Sequence, residues 1–288
     1  MNISATAERL ETRAKAGSLH RTLGRFKTAR RVYSFYQNKR QQTAATIHRA
    51  RLSPRESRYF RDAIPDNFVQ ALRKEGVGFG LQLDPEAVQQ IYRFACDRLC
   101  TEPGFEGTFW AREVEDGRLD GRLALRGLVQ APENCPVVRQ LAQDDKLLEI
   151  VRGYLHYWPT RISYHLTWSF ATQEPTEFLK VHYPPLNYHY DVAGYNFMTS
   201  YFYITDVDAD SGAHVMIARS HNKKPWNTLF VAHSGRQSDQ QVLNHFGSDR
   251  KITIEGKAGF GFVQDPSCYH KLLPSRTRNR LLLQIRYA

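Results

Sequence analysis

Residues 187–191 read Asn187-Tyr188-His189-Tyr190-Asp191 and lead into an aromatic and β-branched run at 196–207. Side chains two apart on a strand point to one face, so His189 and Asp191 are placed to reach a single metal ion. The triplet alone carries little weight: with 11 His and 29 acidic residues in 288, about one His-x-acid match is expected by chance. Its surroundings decide the fold. Runs of the same character recur at 162–172, 213–220, 252–254, 259–264 and 280–287, separated by turns such as 206–212.

Upstream of residue 162 the spacing predicts helices instead. Asp66 opens one that Gly76 closes, residues 77–83 read as extended, and Asp84-Pro85 starts another. Val88, Ile91, Tyr92, Ala95 and Leu99 form the apolar face of that second helix. Ser53-Pro54-Arg55-Glu56 has the form of an N-cap, a first-turn proline and a capping-box Glu. Residues 105–120 read as a surface loop, and 136–155 as one further helix with Val137, Leu141, Leu147, Leu148 and Val151 on its apolar side. Helices first, then short strands, predict an α+β layout with an antiparallel sheet or barrel. An insertion at 222–250, with Ser238 as N-cap and Gly247 as stop, is expected to form a lid or binding loop.

Downstream, the strand 259–264 ends in Asp265-Pro266-Ser267-Cys268-Tyr269-His270, and Arg280 opens the last strand. Two His and one carboxylate with open coordination positions form the facial donor set suited to Fe(II). The expected ligands are His189, Asp191 and His270. One carboxylate leaves such a site net positive and ready for an anionic co-substrate, whose remote carboxylate a guanidinium can grip with two parallel hydrogen bonds. Arg276, Arg278, Arg280 and Arg286 are the candidates. Arg276 and Arg278 fall in the polar turn 274–279, whereas Arg280 shares a strand face with Leu282, Gln284 and Arg286 and lies nearer His270. Arg280 is therefore chosen. His165, His182 and His214 are expected to be hydrogen-bonded neighbours, not ligands. Tyr188, Tyr190, Tyr195, Trp168 and Trp226 can line an aromatic pocket or serve core packing.

From about residue 66 to the C-terminus the chain resembles the phytanoyl-CoA dioxygenase (PhyH-like) family of Fe(II)/2-oxoglutarate oxygenases. Glu75 to Phe79 followed by Leu83 to Val88, Pro136 to Val138, and Ile150 to Leu155 are similar in order to its opening strand and its helices. His189-Tyr190-Asp191 stands at the family's metal-binding triplet. The run Gly212 to His221 matches the strand ending in a Pro-Gly-Ser-His-like turn, with Ala218-Arg219 where Pro-Gly is usual. His270 and Arg280 stand at the distal ligand and the 2-oxoglutarate clamp. The resemblance implies a double-stranded β-helix (jelly-roll, cupin-like) core with flanking helices at 61–288. It also implies Fe(II), 2-oxoglutarate and O2 as cofactor and co-substrates. The reaction would hydroxylate a small-molecule, lipid or glycan substrate, with release of succinate and CO2. Asp191 argues against halogenation, since related iron halogenases carry a small residue there. No residue for the inner carboxylate of 2-oxoglutarate is identifiable beyond a guess at Thr167.

Two other classes stay open: a zinc hydrolase using the same ligands, which leaves Arg280 unexplained, and a non-catalytic membrane- or glycan-associated protein that keeps the fold.

The net charge of +11 sits in one place. Residues 1–60 hold 14 Lys or Arg against 3 Glu, while the remainder holds 26 basic and 26 acidic residues. The main domain's neutrality counts against nucleic acid as a partner. Within 1–60, Leu19, Leu23, Phe26, Tyr33 and Tyr36 recur at helical spacing, with Arg21, Arg25, Lys27, Arg30 and Arg31 mostly on other faces. That basic amphipathic helix packs its apolar stripe on the main domain, meets an anionic membrane surface, or serves nucleic acid binding or a mitochondrial presequence, with Glu8 and Glu11 counting against the presequence. Cys96, Cys100, Cys135 and Cys268 form no CxxC pair and are expected to be core thiols in a reducing, cytoplasmic setting. Residues 1–19 lack the apolar block of a secretory signal.

Overall fold

A computed structural model describes residues 23–49, 57–222, 224, 225 and 237–288. The expected capping at 53–56, Leu19 and Trp226 lie outside them. Among the described residues the first elements are α1 (Lys27–Arg49), α2 (Pro65–Glu75), β1 (Val77–Gln82) and α3 (Pro85–Cys96). Asp84 caps α3 by accepting from Ala87 N at 2.8 Å. Gly76 ends α2 in the left-handed region, at φ 84, where an L side chain is disfavoured. Then come β2 (Leu99–Thr101), β3 (Phe109–Trp110), the small hairpin β4 (Arg118–Leu119) and β5 (Arg122–Leu123), and β6 (Arg126–Val129). The loop expected at 105–120 thus contains strand pairing. The single helix expected at 136–155 is two, α4 (Pro136–Ala142) and α5 (Asp145–Leu155). Asp144 makes the break: its carboxylate accepts from Lys146 N and Leu147 N, starting a new helix instead of continuing the old one.

The remaining elements are β7 (Ile162–Ser169), α6 (Thr176–His182), β8 (Met198–Tyr203), β9 (His214–Ile217), α7 (Asp239–Phe246), β10 (Lys251–Ile254), β11 (Phe260–Gln264), β12 (His270–Leu272) and β13 (Arg280–Tyr287). They build an antiparallel sheet of eight strands, ordered β1-β11-β8-β13-β7-β6-β2-β3, and a small one, β10-β9-β12. An antiparallel bridge between His189 and His270 adds the 187–191 segment to the edge of the small sheet. After β7 the chain alternates between sheets: small at 189, large at β8, small at β9 and β10, large at β11, small at β12, large at β13. The expected mixture of flanking helices and antiparallel sheet is the observed architecture.

Packing explains why the strands read as they do. Tyr201, Tyr203, Phe262 and Leu282 of the large sheet meet Met216 and Ile254 of the small one in a shared core. Tyr201 stacks on Phe262 with centroids 4.8 Å apart. On β13 the even positions face this interior, while Leu281, Leu283, Ile285 and Tyr287 face the helices. Burying both faces makes the strand nearly continuous in apolar residues. The outer face of the small sheet is covered by α7, whose Val242 and Phe246 pack on Tyr188, Tyr190, Val215, Ile217 and Tyr269. Part of the insertion expected to form a lid is therefore a cover for that sheet.

The N-terminal helix packs differently from its expected apolar stripe. Arg30, Ser34 and Gln37 are buried, and Gln41 exchanges hydrogen bonds with the backbone of Trp158, both at 2.8 Å. The Arg30 guanidinium donates to Asn196 Oδ1 at 2.8 Å and Ser267 Oγ at 2.9 Å, and pairs with Asp265 at 2.9 Å. Tyr33 does pack inward, stacking on Tyr195 at 4.8 Å. Tyr36, expected on the same face, is 57% exposed, and Val32 and Phe35 are 63% and 66% exposed. The reason is electrostatic: Asp265 is 1% exposed, and its buried carboxylate needs a cation, which draws the polar face of α1 inward.

Candidate metal centre

The pairing of the 187–191 segment with β12 sets two ligand side chains opposite each other. His189 N donates to His270 O at 3.0 Å, and His270 N donates back to His189 O at 2.8 Å. Their rings lie 4.4 Å apart between centroids. Two residues on, Asp191 N donates to Pro266 O at 2.8 Å, holding the carboxylate beside them. One ligand atom from each of His189, Asp191 and His270 falls within 4.8 Å of the other two. The i, i+2 alternation carries Tyr188 and Tyr190 to the opposite face, under α7.

Both imidazoles are set in one tautomer. His189 Nδ1 donates to Asn187 O and His270 Nδ1 to Cys268 O, each at 2.9 Å. A carbonyl only accepts, so both Nδ1 atoms carry the proton and both Nε2 lone pairs are left for a metal. Burial, then His189, push the His270 pKa down to about 4 against the pull of Asp191, so this ring is neutral at ordinary pH. Burial would raise the Asp191 pKa, but His270, Arg286, His189 and His165 together hold it below its usual value. Neutral nitrogen donors with an ionised carboxylate are the protonation states that metal binding requires. Arg286 Nη2 donates to Asp191 Oδ2 at 3.1 Å, which engages one carboxylate oxygen and leaves the other for an ion. The donor set fits a divalent transition metal that accepts imidazole and carboxylate.

Arg280 is 1% exposed, although it is a guanidinium. It donates to Gly212 O and, at 2.8 Å, to Ser169 Oγ, while its Nε meets no partner among the described residues. It pairs with no carboxylate among the described residues. Burial lowers its pKa, opposed by the hydroxyls of Tyr203 and Tyr183. His214 neighbours both Arg280 and the triad. Its ring stacks on His270 at 5.2 Å, and burial, followed by its neighbours His270 and Arg280, holds its pKa well below the usual imidazole value.

His214 takes the neighbouring place the sequence proposed for it, whereas Arg286, read there only as a candidate clamp, is paired with Asp191. Arg286 had a legible signal, being on the same strand face as Arg280. His182 sits apart on α6, its Nδ1 donating to Phe178 O at 2.9 Å. Thr167, opposite Leu282 in the β7–β13 register, shares the inward face. Arg278 pairs with Asp208 in the turn, while Arg276 is held by Thr172 O at 2.8 Å. Of the two roles open to the aromatic residues, packing is the one observed: Tyr188 and Tyr190 pack under α7, Trp168 meets Tyr92 edge-on at 5.7 Å, and Tyr195 stacks on Tyr33. Trp168, Tyr188 and Tyr190 fill cores because strand alternation turns them away from the ligand face. All four cysteines are free thiols.

No protein-family model matches the sequence, and no curated protein matches it. Solved structures do match by shape. The epimerase SnoN, crystallised with Fe3+, α-ketoglutarate and nogalamycin RO, gives a TM-score of 0.54 at 14% identity, covering 77% of this chain and 82% of its own. HygX of Streptomyces hygroscopicus, with nickel and 2-oxoglutarate bound, gives 0.52 at 16% identity over 78% and 87%. The non-heme α-ketoglutarate-dependent carbocyclase SnoK gives 0.50 at 14% identity over 78% and 86%. At these identities the likeness is one of fold, and the chain shares that fold with non-heme α-ketoglutarate-dependent enzymes.

Proposed function

We propose that this chain is an Fe(II)- and 2-oxoglutarate-dependent dioxygenase of PhyH-like type, built on a double-stranded β-helix. It would hydroxylate a small-molecule, lipid or glycan substrate and release succinate and CO2. The alternation of strands between two facing sheets supports the fold reading. His189, Asp191 and His270 would hold the iron, each His through Nε2. The observation that carries the co-substrate reading is Arg280, a buried guanidinium with no carboxylate partner among the described residues, on the sheet that faces the triad. A buried charge left unpaired costs several kcal/mol, and a dianionic keto acid spanning metal and guanidinium would relieve it. A zinc hydrolase has no use for that charge.

Iron with 2-oxoglutarate and O2 supplies the oxidising chemistry when bound. The chain's own residues orient the donors. Arg286 holds one oxygen of Asp191, the two carbonyls hold the imidazoles, and the Tyr201–Phe262 stack supplies an apolar wall between the sheets. The solved structures with 2-oxoglutarate bound support the same assignment by fold.

The test combines anaerobic Fe(II) titration with a screen for substrate-dependent succinate release over pooled lipids, sugars and small acids. His189→Ala and His270→Ala are expected to lose both metal binding and succinate formation. Undiminished turnover in either variant would falsify the assignment, as would zinc-dependent hydrolysis without 2-oxoglutarate.

A further inference from the structure

Between α1 and the body lies a cavity of about 640 Å³, lined by Lys27, Arg30, Arg31, Arg73, His221 and Asp265 among others. Its one carboxylate is already engaged: Asp265 pairs with Arg30 at 2.9 Å and accepts from Tyr154 at 2.5 Å and the Ser267 backbone at 2.9 Å. Arg73 donates to Gly153 O at 2.9 Å. Lys27 and Arg31 pair with no carboxylate among the described residues. Burial, then the charges of Arg31 and Arg30, depress the Lys27 pKa against the pull of Asp265, as expected where cations outnumber the anion they face. Side chains from one edge of α1 therefore give the cavity an excess of positive charge.

The adjoining face of the same helix is apolar and open. Phe35 lines the cavity and is 66% exposed, and Val32 and Tyr36, at 63% and 57%, continue the stripe outward. Three large apolar side chains in a row on a helix whose polar face is docked are unusual for a surface in contact with water alone. Cations beside apolar residues, at the level of the helix, form the pattern of an interfacial helix on an anionic bilayer. No helix among the described residues is long and apolar enough to cross a membrane, so this contact would be peripheral.

We infer that the cavity between α1 and the body receives the phosphate-bearing headgroup of an anionic phospholipid, with Val32, Phe35 and Tyr36 entering the membrane surface beside it. Charge complementarity selects the occupant. A free phosphate would use Lys27 and Arg31 but leave the apolar stripe idle, and a second copy of this chain would use the stripe but leave the cations unpaired. The inference goes beyond the oxygenase reading and needs neither iron nor 2-oxoglutarate, so the two can fail separately.

The full chain is sedimented with phosphatidylcholine vesicles, with and without phosphatidylglycerol. Binding is expected only where phosphatidylglycerol is present, and it should weaken as salt rises. Lys27→Ala with Arg31→Ala should reduce the partition coefficient about fivefold per charge. Val32→Ser with Phe35→Ser should reduce it at least about tenfold at constant salt. All four side chains are at the surface, and unchanged melting curves establish that the variants fold. If the charge pair does not fold, Arg31→Gln alone carries the same expectation for one charge. Equal binding to both vesicle types, or wild-type partition by both double variants, overturns the inference. So does inorganic phosphate that stabilises the protein through Lys27 and Arg31 while vesicles bring nothing down. A dimer abolished by the serine pair, without lipid binding, overturns it in favour of self-association.

Discussion

At the scale of single residues, the centre depends on where each donor's second bond goes. His189 and His270 give Nδ1–H to carbonyls two residues back, so the rings cannot turn over without breaking that bond. Arg280 has the opposite arrangement, with a charge held by two neutral acceptors and an Nε that meets no partner among the described residues. Neutral acceptors position a guanidinium without cancelling its charge, which leaves it able to receive a carboxylate. Arg280→Ala is expected to raise the KM for 2-oxoglutarate at least roughly thirtyfold, with a smaller rise for Arg280→Lys, since truncating one partner of a buried charge pair costs about 2–5 kcal/mol. Steady-state succinate assays over a 2-oxoglutarate series measure this. A purely structural arginine would shift the melting temperature and leave KM unchanged.

At the scale of elements, the junction of α2 and β1 supports the distal ligand strand. Gly76 sits at φ 84, and a Cβ there would lie 2.3 Å from Cys268 Sγ and 2.9 Å from His221 Nδ1. Its carbonyl accepts from Asp265 N at 2.9 Å, and Cys268 in turn holds His270 through its own carbonyl. Gly76→Ala combines a disfavoured φ with overpacking and should cost about 2–4 kcal/mol, read from the urea midpoint. Iron affinity should fall with it, because the displaced Cys268 carries the carbonyl that orients His270. The facing turn supplies another left-handed residue, Arg219 at φ 65. Its backbone N donates to Glu75 O at 2.8 Å and its guanidinium grips the Glu75 carboxylate at 2.8 and 2.7 Å. That turn is thus tied to the end of α2.

At the scale of the whole molecule, α1 is joined to the sheets through Arg30 and Asp265. Burial alone would raise the Asp265 pKa, but the Arg30 charge, His221 and hydrogen bonds from Tyr154 and Ser267 hold it far below its ordinary value. A carboxyl depressed in the folded state stabilises the protein fully above its unfolded pKa, about 3.9, and loses that contribution as pH falls toward the folded value. Wild-type stability should therefore decline steeply below about pH 4. Arg30→Ala leaves Asp265 buried without its cation and should cost about 3–5 kcal/mol at neutral pH, with a shallower acid slope. Thermal melts of both proteins between neutral pH and pH 3 measure the difference. An unchanged melting temperature in Arg30→Ala would show that α1 contributes nothing to the fold.

The sequence by itself determined whatever depends on short-range periodicity. Strand alternation put His189 and Asp191 on one face, and the apolar run of β13 was readable to its ends, Arg280 and Tyr287. Caps at Asp84 and Ser238 marked helix starts because their partners lie three residues away. Asp144 carried the same local signal, and the longer apolar periodicity around it concealed the break. The tertiary structure alone decided the pairings that cross the chain. Arg30 and Asp265 stand 235 residues apart, and no spacing rule turns a basic helix face inward toward an acid that far away. Arg286 and Asp191, 95 residues apart, meet because β13 lies opposite the 187–191 edge. A buried charge selects its partner by desolvation and distance in space, and neither quantity is written in the order of residues.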